Sequence, residues 1–444
     1  MLTAQNTALR CTLLLERLAQ AREITDALFD IVRPDALYDR PIAQRHRIIF
    51  YVGHLEAFDW NLLRKRLFDL KVFHPDFDQL FAFGIDPVGG GLPTDQPTDW
   101  PSLPQVRKYV ARIREELDRS LTDLLSAQHA NHEDRSQLLL NVAIEHRLMH
   151  AETLAYMFHQ LPLDRKHGRA ASPELVPCPT KPAMIDIPAG NATLGLSRND
   201  SANFGWDNEY EAHTVSVPAF AIDRYKVTNE QFLSFVRSGG YEDRNLWSEA
   251  DWTWKSDEGI SHPVFWVRKD AQWHQRTMFN EIPLPLDWPV YVSHAEASAY
   301  ARWAGKRLPT EAEWHRAACG TPEGSEQKYP WGSGQPTSRH GNFDFQKWDP
   351  DSVGAHPQGT SAFGVASLVG NGWEWTSTQF EPFPGFRAFD FYPGYSANFF
   401  DGKHYVMKGA SPRTAACMLR RSFRNWFQPH YQYVYAGFRC AQDR

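Results

Sequence analysis

Cysteine is scarce in this chain, and its few copies form no pattern that would give them a joint role. The five in 444 residues (Cys11, Cys178, Cys319, Cys417 and Cys440) lie far apart, without a Cys-x-x-Cys pair. That argues against a disulfide framework and against a cysteine-built zinc site, leaving reduced thiols in structural roles. Long apolar runs are missing as well. No stretch of 18 apolar residues occurs, so nothing reads as a membrane span. The opening MLTAQNTALRCTLLLERLAQ puts Glu16 and Arg17 where a secretory signal needs an apolar block, and a cytoplasmic protein is expected. Neither charge is in strong excess. A net charge of −6 with both signs interspersed offers no basic surface for nucleic acid, and it points to small-molecule partners, with no nucleic acid and no membrane. Internal repeats and low-complexity tracts are also lacking.

What remains is a chain rich in helical pattern, histidine and tryptophan. Its length makes two domains the expectation. Residues 1–165 read as a four-helix bundle: Asn6 to Phe29, with Leu13, Leu14, Leu18, Ala21 and Leu28 near helical spacing, then Ile42 to Leu70, Gln105 to Leu125 and Asp134 to Leu161. Between the second and third lies FGIDPVGGGLPTDQPTDWPSLP, too rich in Gly and Pro for regular structure and long enough to suggest a functional loop. Residues 166–182 have the composition of a linker. Residues 183–444 change texture to short apolar strands and two short helices, Asn229 to Ser238 and Ala295 to Gly305, among Gly-, Pro-, Asn- and Trp-rich loops. This is a loop-dominated α+β domain. Most of the 16 tryptophans fall in it, so it uses aromatic surface heavily.

The stretch HRLMHAE carries His146 and His150 four residues apart. On a helix that spacing puts both side chains on one face, with Cβ atoms about 5–6 Å apart, which is metal-ligand geometry. With 18 histidines in the chain, a chance pair is common, and a third ligand is needed. His54 in YVGHLEAFDWN supplies one, on a helix face with apolar neighbours. His46, eight residues earlier, is turned away from it, and His74, His132 and His159 fall at helix ends or outside the expected core. Glu152 lies about 200° around the helix from His150 and should not reach the same ion. Three neutral imidazoles leave coordination positions open, which suits either zinc hydrolysis or iron(II) chemistry with oxygen.

His54, the H-x-x-x-H-x-E stretch at His146, His150 and Glu152, and then FAIDRYKVTNEQFLSFVRSGGY, GKRLPTEAEWHRAACG, LVGNGWEWTS, SFRNW and GFRCAQD together resemble the ergothioneine sulfoxide synthases and their selenium relatives, the selenoneine synthases. The similarity spans nearly the whole chain. The second half alone is less specific, since GKRLPTEAEW and GNxWEWT are shared with formylglycine-generating enzymes. The resemblance implies a multidomain α and α+β architecture, a DinB-like four-helix bundle followed by a C-type-lectin-like domain of the formylglycine-generating-enzyme kind. It also implies an iron(II) enzyme that uses O2 to join sulfur or selenium to the imidazole of hercynine, the Nα-trimethylated histidine. Carried over residue by residue, the ligands are His54, His146 and His150, and the Asn-Trp pair of the hercynine pocket is Asn425 and Trp426. A trimethylammonium group cannot donate a hydrogen bond and is held by aromatic faces, so a Trp-rich domain suits it.

Departures from the family pattern bear on the second substrate. Members that use glutamylcysteine carry arginines in the loop after the second helix, whereas here no Lys or Arg occurs between Lys71 and Arg107. The loop offers Asp86, Asp95, Gln96, Asp99 and Trp100 instead, a mixture of acceptors and an aromatic platform suited to a neutral polyol. The acidic residue that follows Asn-Trp in those members is Phe427, and the frequent Gln before the second bundle ligand is Met149. These losses favour a selenosugar donor over a thiol, with cysteine or glutamylcysteine as the alternative. Part of the family uses a tyrosine after GNxWEWT; here that loop holds Phe383 and Phe386, with Tyr392 and Tyr395 close enough to take its place. Three rival classes remain. A formylglycine-generating enzyme needs two closely spaced cysteines near the end of the domain, where only Cys417 stands. A non-catalytic binding module would use the histidines for structural zinc, and a zinc-dependent thiol transferase would need no oxygen.

Overall fold

The computed structural model describes residues 2–84, 92–126, 133–168, 178, 180–200 and 203–444, with side chains from Thr12 onward except those of 125, 126, 133 and 134. The chain divides into two compact units, Met1–Arg169 and Ala170–Arg444.

The first unit is helical: α1 (Leu2–Phe29), α2 (Ile48–Leu63), α3 (Pro75–Phe83), α4 (Leu103–Ser126) and α5 (Glu133–Gln160). Helix α4 shows most plainly why it forms. Val106, Tyr109, Ile113, Leu117 and Leu121, spaced three or four apart, are all buried, and most of the charged residues between them face outward. Helix α2 is buried nearly all round, from Ile48 to Leu63, so it runs through the middle of the unit and packs against α3, α4 and α5. Helix α1 lies along α5.

Two boundaries differ from the sequence expectation. Helix α2 begins at Ile48 rather than Ile42, because the backbone before it is held in turns by side chains such as Arg47, whose Nη1 donates to the Tyr38 carbonyl at 2.7 Å. The short α3 has no counterpart in the four expected helices. His74 caps it, Pro75 starts it and Asp76 and Asp78 occupy its first turn. Its histidine cap is not among the usual start signals, and it leads directly into the Gly- and Pro-rich loop.

The second unit holds small sheets and four short helices, α6 (Asn229–Arg237), α7 (Glu249–Asp257), α8 (His294–Trp303) and α9 (Glu311–Cys319). Three of these open with a capping box, Thr228 with Gln231, Ser293 with Glu296 and Thr310 with Glu313, and the fourth is capped by Ser248. Strands β1 (Met184–Ile187), β4 (Phe220–Asp223) and β12 (Ala441–Asp443) form one antiparallel sheet, β2 (Gly190–Leu194) and β3 (His213–Val217) a ribbon, and β5 (Trp266–Lys269), β6 (Gln272–Arg276) and β7 (Glu281–Pro283) a meander. The main sheet runs β10 (Asn425–Phe427), β9 (Tyr405–Ala410), β8 (Gly372–Gln379), β11 (Ala436–Gly437), antiparallel except for the β8–β11 pair. Its centre is pinned by Glu374, which is fully buried and accepts from Lys226 Nζ (2.7 Å), Trp314 Nε1 (2.9 Å) and Arg439 Nε (2.6 Å). Burial pulls the Lys226 pKa down to about 8 against the opposing pull of Glu374. Of these helices, α7 and α9 go beyond the two expected. Cys178, Cys319, Cys417 and Cys440 are free thiols. Among the described residues no helix is long and apolar enough to cross a membrane.

Candidate metal centre

His54 on α2 and His146 and His150 on α5 converge. One ring nitrogen from each lies within 4.8 Å of the others, and no further His, Cys or carboxylate joins the group among the described residues. His54 and His146 are buried, while His150 keeps partial exposure. The two rings on α5 have centroids 4.5 Å apart, one helical turn from each other, and His54 sits 5.3 and 4.8 Å from them.

Their neighbours fix the rings. His54 Nδ1 lies 2.7 Å from the Phe81 carbonyl of α3, and a carbonyl only accepts, so Nδ1 carries the proton and Nε2 carries the lone pair. That Nε2 is 3.2 Å from His150 Nε2. The separation is the one expected of two nitrogens each about 2.0–2.1 Å from a shared ion at adjacent positions. Phe50 stacks on His54 one turn before it, with centroids 4.7 Å apart, and Phe58, one turn after it, lies flat on His146 at 3.4 Å and 11°. A backbone carbonyl orienting a ligand imidazole is the usual support of a metal site.

Electrostatics agrees. Burial drives the His54 pKa down to about 4, only partly countered by the Phe81 hydrogen bond. His146 and His150 are held well below the ordinary histidine value, first by burial and then by the neighbouring imidazoles. All three are therefore neutral near pH 7, the form that binds a metal. The donor set fits a divalent ion with positions left open.

Other expected residues fall elsewhere. His46 is outside the cluster and packs its ring on Phe50 at 4.3 Å. His74 caps α3, and Glu152 is buried but does not join the ligands, as its angle on the helix requires. Asp86 and His132 lie outside the described residues. Trp100 is 6% exposed, its indole N–H donating to Asp95 Oδ2 at 2.7 Å, so it stands in the wall of the bundle and is no open platform. Asp99 accepts from the Gln96 backbone N–H at 2.7 Å and caps a local turn. Nor does the loop lack cations: Asp95 is buried between Arg40 and Arg47, which precede α2. Counting charges within the loop alone could not show arginines folding back on it from earlier in the chain.

In the second unit, Asn425, Trp426 and Phe427 form the edge strand β10, all partly exposed. Trp426 stacks on Phe380 at 4.1 Å and 6°, with Tyr395 edge-on at 5.4 Å. Asn425 Oδ1 accepts the Trp426 backbone N–H at 2.9 Å, and Phe427 stacks on Tyr431 at 4.9 Å. Tyr395 is buried on Trp206, with centroids 4.0 Å apart, and Tyr392 is half-buried 5.5 Å from Tyr395. Burial, with help from Asp207, raises the Tyr392 pKa. Phe383 is internal, with the Arg424 guanidinium 4.0 Å from its ring centre and His213 at 4.5 Å. The structure thus gathers Trp426 with Tyr395, and Tyr392 with Tyr395, while Phe383 packs against Arg424 and His213.

Sequence reasoning missed the supports. Phe58 was discoverable, since it stands four residues from His54 on the same helix face. The Phe81 carbonyl leaves no trace in side-chain chemistry. Asp207 and Asn208, in the stretch GWDNE, were also passed over: Ser396 Oγ donates to Asp207 Oδ1 at 2.5 Å and accepts from Asn208 Nδ2 at 3.0 Å, tying down the turn that follows Tyr395.

Comparison with known proteins accords with both halves. Residues 17–154 match the DinB superfamily, and residues 170–444 match the sulfatase-modifying factor enzyme 1-like domain. The chain is 37% identical over 350 residues to the hercynine oxygenase of Mycobacterium tuberculosis, covering 76% of this chain and 78% of that one. With the hercynine oxygenase of Mycolicibacterium smegmatis it shares 35% over 404 residues, 86% and 90% of the two chains. Ergothioneine biosynthesis protein 1 of Neurospora crassa is 27% identical over 503 residues, covering 92% of this chain and 55% of its own length.

Proposed function

Because this chain belongs to the family of hercynine oxygenases and ergothioneine biosynthesis proteins, built from a DinB domain and a sulfatase-modifying-factor-like domain, we propose that it forms a carbon–chalcogen bond on the imidazole of hercynine, using O2 and iron(II). The observation that carries this is the set of three converging, neutral histidines on the bundle, which no carboxylate joins among the described residues and which would leave positions open on an ion. Bound iron(II) would supply the activation of oxygen that the side chains cannot provide. The rest falls to the protein.

His54, His146 and His150 hold the ion, with His54 kept in the right tautomer by Phe81. Trp426, backed by Phe380 and Tyr395, offers an aromatic face to the trimethylammonium group of hercynine, and Asn425 and Phe427 flank it on the same strand. Tyr392 and Tyr395 are the phenols available to this cluster for delivering a proton, and the raised pKa of Tyr392 keeps its phenol protonated. Holding two substrates in fixed orientation removes a large entropic barrier.

For the donor we favour a neutral selenosugar. Phe427 brings no charge to β10, the loop after α2 has no Lys or Arg of its own, and Arg40 and Arg47 are both engaged with Asp95. A thiol donor is the second reading, favoured by the names of the ergothioneine biosynthesis relatives. The deciding experiment is an aerobic assay with iron(II), hercynine and, in turn, selenoglucose, cysteine and glutamylcysteine, read by product mass. Product with selenoglucose and little with either thiol supports the selenium reading. Product only with glutamylcysteine overturns the donor, and no product with any of them overturns the reaction.

A further inference from the structure

The ligand role leaves one conspicuous feature of the bundle unexplained. Directly after His146 comes Arg147, a fully buried guanidinium, and directly after His54 comes the start of its partner set. Arg147 Nη2 donates to the Leu55 carbonyl at 3.1 Å and to Asp59 Oδ2 at 2.7 Å, and lies 3.0 Å from Glu56 Oε2. Its Nη1 donates to Thr25 Oγ1 at 3.3 Å. Glu56 is held from the other side by Arg114, whose Nε donates to Oε1 at 2.8 Å. One side chain of α5 thus reaches α1 and three points on α2, at Leu55, Glu56 and Asp59, and both Arg147 and Leu55 directly follow a proposed ligand.

Such a network is a poor way to gain stability. Removing charges from water costs several kcal/mol per ion, and well-packed apolar side chains of the same volume do as well or better. What buried ion pairs do well is to define register. The apolar contacts between α2 and α5 tolerate sliding, since one buried Leu or Ala can take the place of another. A guanidinium fork seated on two carboxylates and a carbonyl does not. Sliding by one turn, about 5.4 Å, would strand three charges in the core. A metal site, by contrast, needs its ligands placed to within about 0.5 Å. We propose that Arg147, with Glu56 and Asp59, is a positioning device that sets the register of α5 against α2 so that His146 and His150 meet His54.

This inference rests on the metal-centre reading, and its test separates the two. In the full-length chain, Arg147→Lys keeps the charge and loses the fork. The combined apolar variant Glu56→Leu, Asp59→Ala, Arg147→Met removes the network at nearly the same total side-chain volume. Each is compared with the unaltered chain by far-ultraviolet circular dichroism, metal-free melting, cobalt(II) and iron(II) affinity, and the electron paramagnetic resonance spectrum of the iron(II)–nitric oxide adduct. The expected result is native dichroism and little change in metal-free melting, with metal affinity down about 10–100-fold and a broadened, heterogeneous adduct spectrum. A folded Arg147→Lys chain with unaltered affinity and spectrum overturns the proposal. Failure of the apolar variant to fold also overturns it, because the network would then be a stabilising element. An unaltered chain that binds neither ion would instead sink the metal centre itself.

Discussion

A carbonyl oxygen that can only accept decides which nitrogen of His54 faces its neighbours, and the consequences are measurable one residue at a time. Each of His54→Ala, His146→Ala and His150→Ala removes one of three donors, so each should lose the bound divalent ion and product formation together. Metal analysis alongside the product assay checks this, and full activity in any one of them would refute the ligand set. The same burial sets a pH dependence. Since the His54 pKa falls from 6.5 to about 4 on folding, the unfolded chain binds a proton between those values that the folded chain does not. The metal-free protein should therefore hold its full stability above pH 6.5 and lose it as the pH falls towards 4, by about 3 kcal/mol from this side chain. His146 and His150 act in the same direction. Denaturant titrations of metal-free protein at pH 7.5, 5.5 and 4.5 give the slope, and a flat profile would contradict it. On the substrate side, Trp426→Ala should raise the hercynine KM more than the donor KM, because in the proposed pocket the aromatic face it removes would meet the trimethylammonium group. At this scale the convergence of His54, His146 and His150 was legible, as spacing and resemblance named the same three histidines. The Phe81 support was not, because it acts through its backbone, and nor was the pairing of Asp95, which Arg40 and Arg47 reach from about fifty residues earlier.

Helices and strands carry the constraint that keeps those side chains in place. Gly53 on α2 faces α3, and a Cβ at that position would stand 2.4 Å from the Phe81 ring. Gly53→Ala would gain about 1 kcal/mol of helix propensity. Overpacking of about 1–3 kcal/mol should outweigh it. Because Phe81 also holds His54, the expected outcome is a modest fall in melting temperature with a larger fall in metal affinity. An alanine variant with wild-type affinity would show that α3 does not position the ligand. The long helices were readable from their apolar spacing and α6 and α8 were expected, whereas α9 was passed over although its capping box TEAE is of the same kind as TNEQ and SHAE. Helix α3 was not readable, since its cap is a histidine rather than the usual Ser, Thr, Asp or Asn and it runs straight into the Gly- and Pro-rich loop. The start of α2 was misplaced because Ile42 continues the apolar pattern, although the backbone there is tied into turns. In β10 the Asn-Trp pair was recognised from its motif, but its position at a sheet edge follows from pairing with β9, which only the fold supplies.

The whole molecule is two units, each with its own core. Calorimetry should accordingly resolve two unfolding transitions, and added divalent metal should raise only the one that belongs to the bundle, by mass action on its folded form. A single cooperative transition that shifts as a block would contradict that independence. Composition showed a change from long amphipathic runs to Trp-, Gly- and Pro-rich loops, with the linker read over 166–182, and the two compact units divide after Arg169. What composition could not convey is how the second half holds together. Its central Glu374 gathers Lys226, Trp314 and Arg439 from distant parts of the chain, and only tertiary pairing reveals them as one group. The three donors, by contrast, all come from α2 and α5, both of which end before Arg169. A ribosome making this chain from its N-terminus therefore delivers every donor before the second unit has begun to emerge. On the proposed ligand set, loading with metal would draw on side chains of the first unit alone.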